Sequence, residues 1–151
     1  MLPLCRFEGV GVIPWSPLAR GFLAGFDDVA TLGPKDIRRQ MPRFDTANYA
    51  ANRKLYRGYA EIAAEVGRKP AQLALAWLLA KGDDIIPIPG TTSVDHLAEN
   101  AGADSIELSD DVMRRLDALI NAHTVVGARY NAATQAEIDT EEFQPAATAF
   151  A

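Results

Sequence analysis

Two short apolar runs most restrict what this chain can fold into. Val10, Val12 and Ile13 make the first; Ile85, Ile86 and Ile88 make the second. Neither alternates apolar with polar residues, so each reads as a strand covered on both faces, the pattern of a parallel sheet. Pro14 and Trp15 end the first run, and Pro89 and Gly90 stop the second. Parallel strands need a long crossover, and the segment between the runs contains helical patterns. The fold class expected is therefore α/β.

The crossover has three parts. Residues 16–25, SPLARGFLAG, read as a loop, with Gly21 and Gly25 giving backbone freedom. Residues 26–46 form a long connection of the kind that often covers a site, with a short helix expected from Pro34 to Met41. Two helices follow. Leu55, Tyr59, Ile62 and Val66 form one apolar stripe on a helix over 47–66, which Gly67 stops. Pro70 then opens PAQLALAWLLAKG, a helix apolar nearly all round and so buried on several sides, with Trp77 expected in the core.

Outside the crossover, Leu2, Leu4 and Phe7 suit the last turns of a helix capped by Gly9. Ser105 to Leu108 reads as extended. Ser109 caps a further helix, with Asp110 and Asp111 where the helix dipole favours them and Met113, Leu116 and Ile120 as its stripe. The domain is expected to span residues 1–131, with 132–151, rich in Ala, Thr and Glu, as a loose tail.

The turn after the second run carries the first functional expectation. Thr91, Thr92 and Ser93 are small hydroxyl residues, and Ser93 is an N-cap for a helix through Leu97. Free N–H groups and hydroxyls at such a start suit a phosphate, although a strand–Gly–Ser–helix turn is also common structural punctuation. Ser16 and Arg20 in the first loop are suited either to phosphate or to solvent.

Composition excludes several classes. A net charge of −5 argues against a nucleic-acid or anionic-membrane surface. The basic cluster Arg38, Arg39, Arg43, Arg53, Lys54 and Arg57 reads as a solvated helix face with a loop. The single cysteine, Cys5, forms no intrachain disulfide and fits a reducing, cytoplasmic setting as a packed thiol. No apolar run approaches the ~20 residues of a membrane helix. His96 and His123 lie far apart without further ligands at metal-binding spacing.

Three spaced blocks then strongly resemble the aldo-keto reductase family: GVIPWSPLARGFLAG at 11–25, PAQLALAW at 70–77, and IPIPGTTS at 86–93 with LAEN at 97–100. ELSDDV at 107–112 fits as well. MPRF at 41–44 and GARY at 127–130 are similar to its bacterial and plant branch. The resemblance covers about residues 1–130 and implies the C-terminal part of a (β/α)8 TIM barrel, with residues 10–15 as strand seven and 85–88 as strand eight. Phosphate sites after those strands are a general feature of the barrel.

It also implies a nicotinamide cofactor, NADP with NAD as the alternative, and a small carbonyl substrate. By resemblance Trp15 stacks on the nicotinamide, although it also suits a core aromatic at a strand end. Ser16, Leu18 and Arg20 follow the pyrophosphate. Gly90, Thr91, Thr92 and Ser93 surround the adenosine ribose and its 2′-phosphate, with His96 facing that phosphate. Glu99 and Asn100 hold the adenine. Many relatives carry Lys or Arg at the places of Thr92 and Ser93, which leaves NAD open here. The family's catalytic Tyr, Lys, Asp and His map to no position in this sequence. The expectation is a cofactor-holding portion that is inactive alone, or a half-barrel subunit pairing with a separate N-terminal half.

Overall fold

The computed structural model describes residues 1–26 and 28–137. Among the described residues six α-helices carry the fold: α1 (Leu2–Phe7), α2 (Thr46–Glu65), α3 (Pro70–Leu79), α4 (Val94–Ala101), α5 (Asp110–Leu119) and α6 (Ala132–Glu137). The core forms where α2, α3 and α5 meet. Tyr59, Ile62 and Ala63 from α2 pack with Leu73 and Ala74 from α3 and with Val112 and Leu116 from α5. Trp77, Val66 and Leu18 pack partly buried around them. Of the stripe expected on α2, Tyr59 and Ile62 are buried and Leu55 and Val66 half-buried, and Tyr49 and Asn52 extend the buried face toward the helix start.

The helix ends obey local chemistry. Gly9 and Gly67 sit at φ +66 just beyond α1 and α2, a conformation that costs glycine little. Beyond Gly9, the Val10 N–H returns to the Cys5 carbonyl at 2.8 Å; beyond Gly67, Arg68 N–H returns to the Ala63 carbonyl at 2.9 Å. Both are Schellman closures. The α5 start has Ser109 Oγ accepting from Val112 N–H at 3.3 Å. Tyr59 donates its hydroxyl to the Pro70 carbonyl, fastening α2 to the start of α3. Burial raises the Tyr59 pKa well above the ordinary phenol value, so that donor keeps its proton.

The two expected strands are not formed as such. Among the described residues the pairing shrinks to one parallel bridge, Val12 with Ile85. Val12 N–H donates to the Asp84 carbonyl at 2.7 Å, and Ile86 N–H donates to the Val12 carbonyl at 2.9 Å. Ile85 is buried, but Ile13 is 58% and Ile86 55% exposed. The reason is geometric. A strand covered on both faces needs sheet neighbours and helices on each side, and here each backbone meets only the other.

The connections differ from expectation in the same sense. Pro34–Met41 is not an α-helix; two 3₁₀ turns, Ile37–Gln40 and Pro42–Phe44, take its place. Gly102–Ser105 is also a 3₁₀ turn, and only Ile106 onward is extended, outside any β-bridge among the described residues. Of the stretch read as a tail, 132–137 is α6, and 138–151 lie outside the described residues.

A buried asparagine closes the domain. Asn52 is 5% exposed; its Nδ2 donates to the Val126 carbonyl and its Oδ1 accepts from Val126 N–H, both at 2.9 Å. The carboxamide thus pairs with a backbone as a strand would. The MPRF and GARY segments meet beside it, with Arg43 Nε donating to the Gly127 carbonyl at 3.2 Å.

Removing these contacts has graded costs. Leu73→Ala, at a fully buried site, lowers unfolding free energy by about 2–5 kcal/mol. Ile86→Ala on the exposed edge changes it by less than about 0.5 kcal/mol. Asn52→Ala costs about 1–3 kcal/mol, because a buried backbone pair loses its partner. Urea unfolding of the three variants checks the order, and faster amide exchange at Val126 in Asn52→Ala checks the cause.

Candidate cofactor site

The loop after the first apolar run is held in a demanding shape. Ser16, Ala19 and Arg20 have φ of 55, 49 and 57, the left-handed region that non-glycine residues seldom occupy. The cost is met by neighbours. Leu18 packs on the core, and the Ala19–Ala24 turn packs against α3. From the long connection, Arg38 Nη1 donates to the Arg20 carbonyl at 3.2 Å.

Arg38 is itself fixed. Its Nε and Nη2 donate to the two Asp36 carboxylate oxygens at 3.0 and 2.7 Å, and its guanidinium lies 4.1 Å from the Phe26 ring centre. Hydrogen bonds from the Arg38 side chain and backbone hold the Asp36 pKa down at about 2, against an ordinary 3.8. The sequence reading placed Arg38 on a solvated face; it is instead the strut behind the loop. The signal available was Asp36 two residues before Arg38, at the start of a short turn in a long connection.

Ser16, Leu18 and Arg20 line one cleft of about 410 Å³ with Arg38, Ile88 and Gly90. The structure therefore brings together the loop after the first run and the end of the second. Arg20 has no carboxylate partner among the described residues, while the charge of Arg38 is met by Asp36. The remaining residues of the expected set lie outside this cleft. Thr91 and Thr92 are exposed, and Thr91 Oγ1 accepts from Ser93 N–H at 3.1 Å. Ser93 caps α4, its Oγ accepting from His96 N–H at 3.3 Å, and His96 is exposed. Glu99 and Asn100 sit at the far end of α4. Lys69 Nζ donates to Glu99 Oε2 at 2.6 Å, and Asn100 is buried.

Trp15 is half exposed and is not a core aromatic. It borders a second, apolar cavity of about 230 Å³ with Pro14, Leu23, Tyr59, Trp77 and Leu116. Three groups contact its ring system. Arg129 lies 4.3 Å from the ring centre and Arg20 5.7 Å. Tyr130 stacks at 6.3 Å with 18° between planes. Residue-level reading had no signal for Arg129 and Tyr130 at this place, since their approach depends on the Asn52 and Arg43 contacts over 70 positions away in sequence. Burial first, and then the charge of Arg129, lowers the Arg43 pKa. No group of metal-ligating side chains occurs among the described residues.

The Asp36 carboxylate supplies a pH signature. Its folded pKa lies below the unfolded one, so its stabilising effect is complete above pH ~4 and is lost as pH falls through about 2. The Arg38 Nε–H resonance should remain protected from exchange at pH 3.5 and lose protection toward pH 2. Asp36→Asn should show the unprotected behaviour at pH 7.

Comparison with known proteins identifies the family. The sequence profile of the Aldo/keto reductase family matches residues 1–121. The chain is 38% identical over 130 residues to probable aldo-keto reductase 1 of Glycine max, and 39% identical over 131 residues to aldo-keto reductase yakc [NADP(+)] of Schizosaccharomyces pombe. Each match covers 86% of this chain and 38% of the relative, so the chain spans well under half the length of these relatives. Among solved structures, a thermostable aldo-keto reductase complexed with the inhibitor epalrestat matches at 32% identity and TM-score 0.53, covering 79% of this chain and 33% of that one. The glycerol dehydrogenase of Gluconobacter oxydans matches in fold at TM-score 0.73 and 23% identity, over 83% of this chain and 38% of that one. These proteins are TIM barrels and oxidoreductases. With four-fifths of its length inside the family profile, this chain belongs to the aldo/keto reductase family.

Proposed function

We propose that this chain is the cofactor-holding portion of a nicotinamide-dependent carbonyl reductase, corresponding to strands seven and eight of the barrel and their helices. The observation that carries the proposal is the single cleft joining Ser16, Leu18 and Arg20 to Gly90. The donor set fits an extended anionic dinucleotide: a hydroxyl, a guanidinium without a carboxylate partner among the described residues, and a glycine turn with open space beside it. Ser16 and Arg20 take the pyrophosphate, Thr91 to Ser93 and His96 the ribose and its substituent, Glu99 and Asn100 the adenine, and Trp15 the nicotinamide ring. When bound, the cofactor supplies hydride to the carbonyl carbon of a small aldehyde or ketone. NADP is the cofactor named for the Schizosaccharomyces pombe relative, and it is the one proposed here. The uncharged Thr92 and Ser93 keep NAD as the alternative.

Trp15 enters this reading with a condition. A ring stacking on the face covered by Arg129 must displace that guanidinium, at a cost of about 0.5–2 kcal/mol. No residue of this chain matches the family's catalytic Tyr, Lys, Asp or His, so the chain by itself holds a cofactor without reducing a carbonyl. The exposed Val10, Ile13, Ile86 and Ile88 favour a second backbone pairing alongside the Val12–Ile85 bridge, as a complementary N-terminal half would provide. No described helix is long and apolar enough to cross a membrane. The setting proposed is the cytoplasm, on the single unpaired cysteine.

Titration of the chain with NADPH should quench tryptophan fluorescence. Arg20→Ala should weaken binding on the order of tenfold, the loss of a charged hydrogen bond. Trp15→Ala should abolish most of the quenching. NADPH oxidation with an aldehyde should stay at background for this chain alone. Binding unchanged in Arg20→Ala would reject the site, and turnover above background would reject the division of labour.

A further inference from the structure

The far end of α4 carries an arrangement that goes beyond the cofactor residues themselves. Glu99 has a side chain only 14% exposed, and its Oε2 accepts from Lys69 Nζ at 2.6 Å. No described residue donates to Oε1. Beside it in sequence, Asn100 is 8% exposed, and its side chain is bonded to no described residue. A carboxylate oxygen that accepts and a carboxamide that donates suit a purine edge, with its amino N–H next to a ring nitrogen.

Both anchors of Glu99 come from the start of α3. Lys69 is the residue before that helix, and it takes the carboxylate. Gln72, in the first turn, accepts from Lys69 N–H through Oε1 at 3.4 Å and donates through Nε2 to the Glu99 carbonyl at 3.1 Å. The ammonium thus fixes one oxygen of Glu99 and leaves the other without a donor among the described residues. The Lys69 pKa is raised, by the Glu99 hydrogen bond first and its charge second, so the ammonium is present throughout the physiological range.

We infer that Lys69 is a positioning residue for adenine recognition: by holding Glu99 Oε2 it aims Oε1 at the purine amino group. This rests on the cofactor reading above. Lys69 touches no cofactor atom itself and acts through Glu99. Its side chain is 70% exposed, so it is replaceable without opening the core.

The test compares NADPH with its 1,N6-etheno derivative, in which the amino group and ring nitrogen are bridged and unable to pair. The 151-residue chain is titrated with each by calorimetry, as wild type, Lys69→Met and Lys69→Arg. Wild type should prefer NADPH by at least about fivefold, the lower bound for one good base-edge pair. Lys69→Met should bring that ratio close to one, and Lys69→Arg should restore it, with unchanged thermal midpoints. A ratio unaltered in Lys69→Met overturns the role of Lys69. Equal weakening of both ligands with a lowered midpoint assigns Lys69 to structure alone and also overturns it. Wild-type binding without preference rejects adenine-edge reading but leaves the cofactor site standing. No binding of either ligand by wild type rejects the cofactor site and this inference together.

Discussion

Helix α3 is the constraint on which the rest depends. It is apolar nearly all round, so it is stable only when covered on several sides at once. Ala71 and Leu73 to Ala76 are all buried, and Leu73 is wholly removed from water. The partners that cover it are the elements that matter elsewhere: α2, α4, the Ala19–Ala24 turn and the Gly102–Ser105 turn. Among the described residues the loop over 16–25 and helix α4 have no direct hydrogen bond to each other. They share a register because both rest on the same helix, one near its flank and one at its start. Displacing α3 would move the loop and α4 together.

Charge is arranged in a second layer around that packing. Arg38 is neutralised by Asp36 and works as a strut under Arg20. Arg6 does similar work at the opposite end, pairing with Asp84 and reaching the Lys81 carbonyl, which fixes α1 beside the bridge. Such partly exposed pairs contribute little to stability individually. Their value here is geometric, since each holds a backbone carbonyl or a left-handed turn in place. Arg20 and Arg129 differ, because their guanidinium groups meet the Trp15 ring and, among the described residues, no carboxylate. Two guanidinium groups thus stand over one aromatic ring, in a chain whose net charge is −5.

Helices were legible from the sequence and paired backbones were not, for a physical reason. The stripe of Tyr59, Ile62 and Val66, the Pro70 start and the Ser93 and Ser109 caps are local signals, readable within a few residues. Helices α2, α3, α4 and α5 follow them closely. The apolar runs at 10–13 and 85–88 state only a need for cover, and the chain supplies one bridge between them. The site was legible in the same uneven way. Ser16, Leu18, Arg20 and Gly90 meet at one cleft, as the motif blocks imply. Arg129 and Lys69 act through contacts between distant segments, which no local pattern encodes. The Lys69–Glu99 pair spans thirty positions, and the Asn52–Val126 pair spans seventy-four.

The one-bridge pairing of Val12 with Ile85 has a consequence for synthesis. The two residues are 73 positions apart (85 − 12). At 5–20 residues per second, the first run emerges on the order of 4–15 s before its partner exists. During that interval an apolar extended segment is available to any other strand in the cell. Charged residues bound the hazard: Arg6 and Glu8 precede the first run, and Asp83 and Asp84 precede the second. Flanking charges of this kind slow strand-to-strand association between nascent chains. Arg6 and Asp84, which guard the two runs separately while they wait, become each other's partner once both are present.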